Sequence, residues 1–233
     1  MTMILTRQSF ESGEKTIAVD VFGDGSSRGP AVLMLHGADG LKAAQMPYRE
    51  GAQHLATAGY RVFLVHYLDR TGERQVSLTT LFQNFLPWTE TVRDALAWIT
   101  TREDVDSDRI GLVGVSLGSA LGLAMSGMEP TIKAFVDYYG PLPQGALGPK
   151  PHFPPTLILH GALDPIVPVA NAYAIEALLS QRGVPHDMKI YPGQGHGFTG
   201  EARTDAMERV VAFLDHHLAG RPLAAATPLP VEG

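Results

Sequence analysis

At 233 residues and 45% hydrophobic content, the chain is long enough for one well-buried core and too short for two full-sized enzyme domains. Its formal net charge of -6 comes without a basic patch, so nothing favours a nucleic-acid or anionic-membrane partner, and the expected partner is a small molecule. The absence of cysteine excludes disulfides, thiolate metal sites and a cysteine nucleophile, and agrees with a reducing cytoplasm.

Residues 1–10 alternate apolar and polar side chains and hold no continuous apolar segment of the length a signal peptide needs. No stretch is long and apolar enough to span a membrane. Residues 4–10 and 16–22 read as strands joined by the Ser12-Gly13-Glu14 turn. The loop 23–30 contains Gly23-Asp24-Gly25 but leads into a strand rather than a helix, which removes a dinucleotide-binding reading. Residues 31–35 form a continuous apolar run, as a strand buried on both faces of a parallel sheet requires, and a helical pattern follows at 47–58. The alternation then repeats, with strands at 61–65, 110–115, 134–138, 156–159 and 188–191 and helices at 86–100, 117–127, 169–181 and 201–218.

This pattern predicts an α/β fold with a mostly parallel central sheet, helices on both faces and an N-terminal antiparallel hairpin. A single domain is expected over 1–218, and the Pro- and Gly-rich stretch 140–155 is too short for a separate cap domain. Residues 219–233 turn to Ala, Pro and Leu without periodicity and read as a flexible tail. The stretch 67–87 also interrupts the alternation and brings Phe82, Phe85 and Trp88 close together after a strand at the expected carboxyl edge of the sheet. Open α/β sheets bind ligands there, so these aromatics either wall a substrate pocket or anchor the next helix to the core.

The chemistry concentrates at Gly114-Val115-Ser116-Leu117-Gly118, directly after one strand and directly before a helix. In a nucleophile elbow the serine occupies a strained strand-to-helix turn, and small flanking residues let the two elements nearly touch. The N–H groups at the start of the helix then face the negative oxygen formed when an acyl carbon is attacked.

A serine hydroxyl is a poor nucleophile at neutral pH, so it needs an imidazole as base and a carboxylate to orient that imidazole. In the order serine, acid, histidine, the candidates are Asp164, in His160-Gly161-Ala162-Leu163-Asp164-Pro165, and His196, in Gly193-Gln194-Gly195-His196-Gly197-Phe198. Both lie just past strands. Asp137 is the rival acid, although it lies within its strand rather than after it. His36, His66 and His160 also follow strands, while His216 and His217 sit on the last helix. Two backbone donors would complete an oxyanion hole, those of Leu117 and, from His36-Gly37-Ala38-Asp39-Gly40, Ala38.

With these residues in place, the chain resembles the α/β-hydrolase superfamily and, within it, the dienelactone hydrolase family, over about residues 16–218. The resemblance implies a cap-free fold and hydrolysis of a carboxylic ester, with lactones among the candidates, without metal or cofactor. Members that cleave dienelactone typically carry a cysteine nucleophile and a glutamate in the turn after the early strand, whereas this chain has Ser116 and Gly37. The two changes fit each other, because a serine activated directly by His196 does not require the glutamate. Arg70 matches by position the family's arginine for a substrate carboxylate. A second such arginine is not evident: Gly200 stands near its place, and Arg203 is slightly further on. Together with Phe82, Phe85, Trp88 and Phe198, Arg70 makes up the expected substrate-binding set.

Thioesterase or small-peptide and amide hydrolysis would use the same triad, and pocket shape would separate them. A dehalogenase would need a carboxylate where Ser116 stands. A non-catalytic hydrolase scaffold that only binds a small ligand is the reading from another class, since fold does not fix function. Such scaffolds usually lose a triad member, and none is lost here.

Overall fold

The computed structural model describes residues 4–23, 27–43, 45–148 and 151–220. The chain opens with an antiparallel hairpin of β1 (Ile4–Ser12) and β2 (Lys15–Gly23). Six further strands follow: β3 (Gly29–Leu35), β4 (Arg61–Val65), β5 (Val105–Val115), β6 (Ile132–Tyr138), β7 (Thr156–Gly161) and β8 (His186–Tyr191). They form one eight-stranded sheet in the order β1-β2-β4-β3-β5-β6-β7-β8. The hairpin joins the rest through an antiparallel pairing of β2 with β4, and the pairs among β3 to β8 are all parallel.

Side chains alternate across each strand, so a central strand must find apolar partners on both faces. Ala31, Leu33 and Leu35 of β3 enter the core covered by α3 (Leu78–Thr100), α4 (Leu117–Ser126) and α5 (Ala170–Gln181), where Trp88, Leu121 and Ile175 pack. Val32 and Met34 enter the opposite core, under α2 (Gln45–Thr57) and α6 (Gly200–Leu218), with Leu55, Val210 and Phe213. Each fully buried large apolar side chain in these layers contributes roughly 1.5–3 kcal/mol. A short helix α1 (Gly40–Ala43) precedes α2, and a 3-10 turn, Tyr67–Arg70, follows β4. Among the described residues no helix is long and apolar enough to cross a membrane.

The mostly parallel sheet, the helices on both faces and the N-terminal antiparallel hairpin match the sequence reading, and the largest difference is α3. It begins at Leu78, not at 86, because Ser77 and Thr80 form a reciprocal cap: Ser77 Oγ accepts the Thr80 N–H at 3.2 Å and Thr80 Oγ1 accepts the Ser77 N–H at 2.9 Å. Pro87 therefore sits inside the helix, where it lacks an N–H to donate. The tail expected at 219–233 lies outside the described residues from 221 onward.

Candidate active site

Ser116 caps α4 at φ 53° and ψ -114°, a backbone conformation that a side chain rarely adopts and that persists only where surrounding contacts enforce it. Its N–H donates to the Tyr138 carbonyl at 2.9 Å, and its carbonyl accepts the Ser119 N–H at 2.9 Å, so the elbow is held to both β6 and α4. The flanking glycines are required by contact. A Cβ on Gly114 would come within 2.7 Å of the Gly118 carbonyl oxygen, and one on Gly118 within 2.5 Å of the His36 carbonyl oxygen.

The parallel strands β5, β7 and β8 end at the same edge, and the loops leaving them bring three distant residues together. His196 Nε2 lies 2.9 Å from Ser116 Oγ, and His196 Nδ1 lies 2.7 Å from Asp164 Oδ2. A carboxylate can only accept, so Nδ1 carries the proton and Nε2 presents its lone pair to the serine hydroxyl. Asp164 Oδ1 accepts the N–H groups of Ile166 and Val167 at 2.8 and 2.9 Å. Burial alone would push the Asp164 carboxyl up, but hydrogen bonds from His196, Val167 and Ile166 outweigh it and hold it below the usual carboxylate range. Gly161 permits this convergence, since a Cβ there would overlap the carbonyl oxygens of Gln194 and Gly195 in the histidine loop.

Opposite the histidine lies the turn after β3. Gly37 donates its N–H to Tyr48 Oη at 2.9 Å, Tyr48 donates its hydroxyl to Asp39 Oδ1 at 2.8 Å, and Val76 donates to the Ala38 carbonyl at 2.9 Å. A Cβ on Gly37 would lie 3.0 Å from both Asp39 Oδ1 and Tyr48 Oη and 3.5 Å from Ser116 Cβ. The space in which a glutamate side chain would begin is therefore held by the Tyr48–Asp39 pair. Among the described residues, neither the Leu117 nor the Ala38 N–H is used in a loop or cap hydrogen bond.

The competing residues have other partners. Asp137 is fully buried and faces Ser119 and Gly140: Ser119 Oγ and the Gly140 N–H, the latter at 2.8 Å, both donate to Oδ1, while Oδ2 has no partner. Burial pushes its carboxyl up to about 6. His36 is buried, stacks on Tyr67 with ring centroids 4.3 Å apart, and donates Nδ1–H to the Gly37 carbonyl; burial lowers its pKa to about 3. His66 Nε2 lies 3.5 Å from Asp20, His216 and His217 pack on each other, and His217 packs on Phe213. His160 donates Nε2–H to the Val167 carbonyl at 2.8 Å and lies 3.5 Å from Asp164 Oδ2, which puts it behind the acid rather than beside the serine.

The expected substrate-binding set is largely dispersed. Arg70 is turned toward the hairpin, where its guanidinium donates to the Ser12 carbonyl and lies 3.4 Å from Glu90, so it is committed to holding β1 and α3 together. Trp88 is fully buried and donates Nε1–H to Thr71 at 3.0 Å, which is the core-anchoring alternative. Phe85 packs partly buried on the same core, and Phe82 is exposed. Phe198 alone of the set lines the cavity between α2, α6 and the sheet, packed against Tyr139 and Tyr191 at 5.3 and 4.6 Å.

Two neighbours of the site escaped sequence reasoning. Tyr139 takes φ 42° and sets its ring 4.8 Å from that of His196, edge to face. Tyr48 reaches Gly37 from α2. A tyrosine ending a strand and a tyrosine on an amphipathic helix carry no signal beyond packing. The cavity, about 320 Å³, lies between α2, α6 and the sheet. Among the described residues no three His, Asp or Glu side chains group so as to hold a metal ion.

The model of the dienelactone hydrolase family matches residues 17–218. A Synechocystis sp. protein named "Putative carboxymethylenebutenolidase" is 30% identical over 132 residues, which are 49% of this chain and 53% of that protein. The chain thus spans about half the length of this relative. Among solved structures, a dienelactone hydrolase-like promiscuous phosphotriesterase from metagenomic libraries superposes with a TM-score of 0.78 at 18% identity, covering 92% of this chain and 98% of the other. An esterase from Pyrobaculum calidifontis superposes with a TM-score of 0.74 at 21% identity, covering 91% and 85%. At these identities the structures report on the fold, which is that of the α/β hydrolases.

Proposed function

Because this chain belongs to the dienelactone hydrolase family, we propose that it is a serine hydrolase that cleaves carboxylic esters of small substrates, lactones included, through an acyl-enzyme on Ser116. The observation that carries this reading is the unbroken chain from Ser116 Oγ through His196 to Asp164, at 2.9 and 2.7 Å. The printed names "Putative carboxymethylenebutenolidase" for the Synechocystis relative and "esterase" for the Pyrobaculum calidifontis neighbour support the same reading.

Each step follows from the proton positions. Ser116 Oγ bonds to the carbonyl carbon while its proton passes to His196 Nε2, and Asp164 stabilises the resulting imidazolium. The N–H groups of Leu117 and Ala38 hold the oxyanion. Collapse breaks the bond to the leaving oxygen, which takes the proton from Nε2. Water, deprotonated by His196, then releases the carboxylic acid and restores Ser116.

In this reading residues 1–218 act as one catalytic domain without a cap, no cofactor takes part, and the reaction belongs in the cytoplasm, in keeping with a chain that has no cysteine. Cell fractionation tests the location. The reaction itself is tested by comparing p-nitrophenyl esters, acyl-thioesters and peptide anilides in wild type and Ser116→Ala. Ester turnover that exceeds the other two and falls at least about 10³-fold in the variant supports the proposal. Faster turnover of thioesters or anilides would move the activity to those substrates, and turnover unchanged in Ser116→Ala would reject the nucleophile.

A further inference from the structure

The cavity between α2, α6 and the sheet is lined mostly by apolar side chains, with Asp39, Tyr48, Tyr138, Tyr139 and Arg203 adding polar atoms. Met34 of β3 and Val113 of β5 form its sheet side, Gly51 and Leu55 its α2 side, and Ala206 and Met207 its α6 side. Nearest Ser116, the lining passes to Asp39, Tyr139 and Gly197. Those three positions bracket the nucleophile: Asp39 follows Ala38, Gly197 follows His196, and the Tyr139 ring packs on that of His196. Ser116 and His196 do not themselves line the cavity, but Val115, Gly197 and Tyr139, their immediate neighbours, do, so it lies next to them between α2, α6 and the sheet.

The space is a cleft open to solvent, and it would hold on the order of ten water-sized groups at about 30 Å³ each. Gly51 stands in the interior of α2, where glycine costs about 1 kcal/mol relative to alanine. A Cβ there would meet only Met34 Cε at 3.4 Å and Met207 Cε at 3.6 Å, ordinary contacts with the ends of two flexible side chains. Alanine would fit and strengthen the helix, so the glycine serves to keep the room open. Methionine adapts its shape to what it contacts, which suits a pocket that fills and empties. The charges nearby are already matched: Arg203 pairs with Glu50 at 2.5 Å, and Asp39 accepts from Tyr48. The side chains of Met34, Leu55, Val113, Ala206 and Met207 offer nothing to a polar or ionic ligand.

We propose that this cavity receives the acyl part of the substrate as an unbranched aliphatic chain of about six to eight carbons, so that the ester cleaved at Ser116 is one of a medium-chain carboxylic acid. The proposal rests on the acyl-enzyme reading given above. During acylation the carbonyl carbon bonds to Ser116 Oγ, the bond to the leaving alcohol breaks, and the alcohol departs with the serine proton delivered by His196. The chain stays between α2 and α6 until water releases it.

The test is the ratio of kcat/KM for p-nitrophenyl hexanoate to that for p-nitrophenyl acetate in wild type, Gly51→Ala and Gly51→Leu. Filling the cavity lowers the ratio about threefold in Gly51→Ala and at least about tenfold in Gly51→Leu. A ratio that is the same in all three, in proteins folded by circular dichroism, overturns the proposal. Should Gly51→Leu not fold, the wild-type protein is treated with ethyl p-nitrophenyl hexylphosphonate, whose phosphorus bonds to Ser116 Oγ as p-nitrophenolate leaves, and its crystal structure is determined. A hexyl chain between α2 and α6 supports the proposal, and a chain lying in solvent or against α3 overturns it. Absence of both acetate turnover and a Ser116 adduct would instead remove the acyl-enzyme reading itself, whatever Gly51 does.

Discussion

Asp164 presents one carboxylate oxygen to His196 Nδ1 at 2.7 Å and spends the other on the N–H groups of Ile166 and Val167. The two oxygens therefore have separate duties, one toward the imidazole and one toward the loop. Asp164→Asn keeps the loop, because the amide oxygen can still accept both N–H groups. Its NH₂ then faces Nδ1 and forces the proton onto Nε2, where it blocks the serine. We expect kcat to fall about 10⁴-fold with the fold intact by circular dichroism. A fall of less than about tenfold would mean that Asp164 does not set the tautomer.

The contact that excludes a side chain at Gly118 gives a second prediction. A methyl group there would press on the His36 carbonyl oxygen and push α4 away from β3. Gly118→Ala should lower stability by about 1–3 kcal/mol and turnover by about 10²-fold, the effect of displacing the nucleophile by about 1 Å. Urea denaturation and steady-state kinetics measure the two effects. Unchanged turnover would show that the elbow tolerates the shift.

Tyr48 tests the proposed oxyanion role of the turn after β3 without touching Ser116, His196 or Asp164. In Tyr48→Phe the buried Gly37 N–H loses its acceptor and Asp39 loses its donor. We expect a stability loss of about 1–3 kcal/mol and a drop of about tenfold in kcat, smaller than the roughly 10²–10³ that follows removal of an oxyanion donor itself. A change confined to KM would assign Tyr48 to substrate binding instead.

Asp137 predicts a pH dependence of stability. Burial raises its carboxyl from the ordinary 3.8 to about 6 in the folded protein, so the folded state holds the proton more tightly than the unfolded chain. Its contribution is complete below about pH 4, declines as pH rises, and is gone above about pH 6. The difference is about 3 kcal/mol. Urea unfolding at pH 5 and pH 8 should show wild type losing stability over this interval relative to Asp137→Asn, in which the group does not titrate. Parallel behaviour of the two proteins would contradict the assignment.

Much of this architecture was legible in the chain. Buried parallel strands must be continuously apolar, and the residues that follow them must turn, so 31–35, 61–65 and 110–115 and the loops bearing Ser116, Asp164 and His196 stood out. The start of α3 was hidden because Pro87 reads as a helix boundary, whereas the Ser77 cap places the boundary one residue before Leu78. Position along the chain says nothing of direction, so the sequence does not show that the Arg70 guanidinium turns to Ser12 and Glu90. Tyr48, Tyr139 and Gly51 owe their place at the site to packing between elements far apart in sequence, which no local pattern encodes.

The central claim, that Ser116 is a nucleophile activated by His196, is tested most directly by the intact mass of the protein after exposure to an alkyl fluorophosphonate. Attack by Ser116 Oγ expels fluoride and leaves one phosphonyl group on the protein. We expect a single adduct on wild type, mapped to the peptide containing Ser116, slowed at least about 10³-fold in His196→Ala and absent in Ser116→Ala. An adduct of equal rate and mass in Ser116→Ala would contradict it.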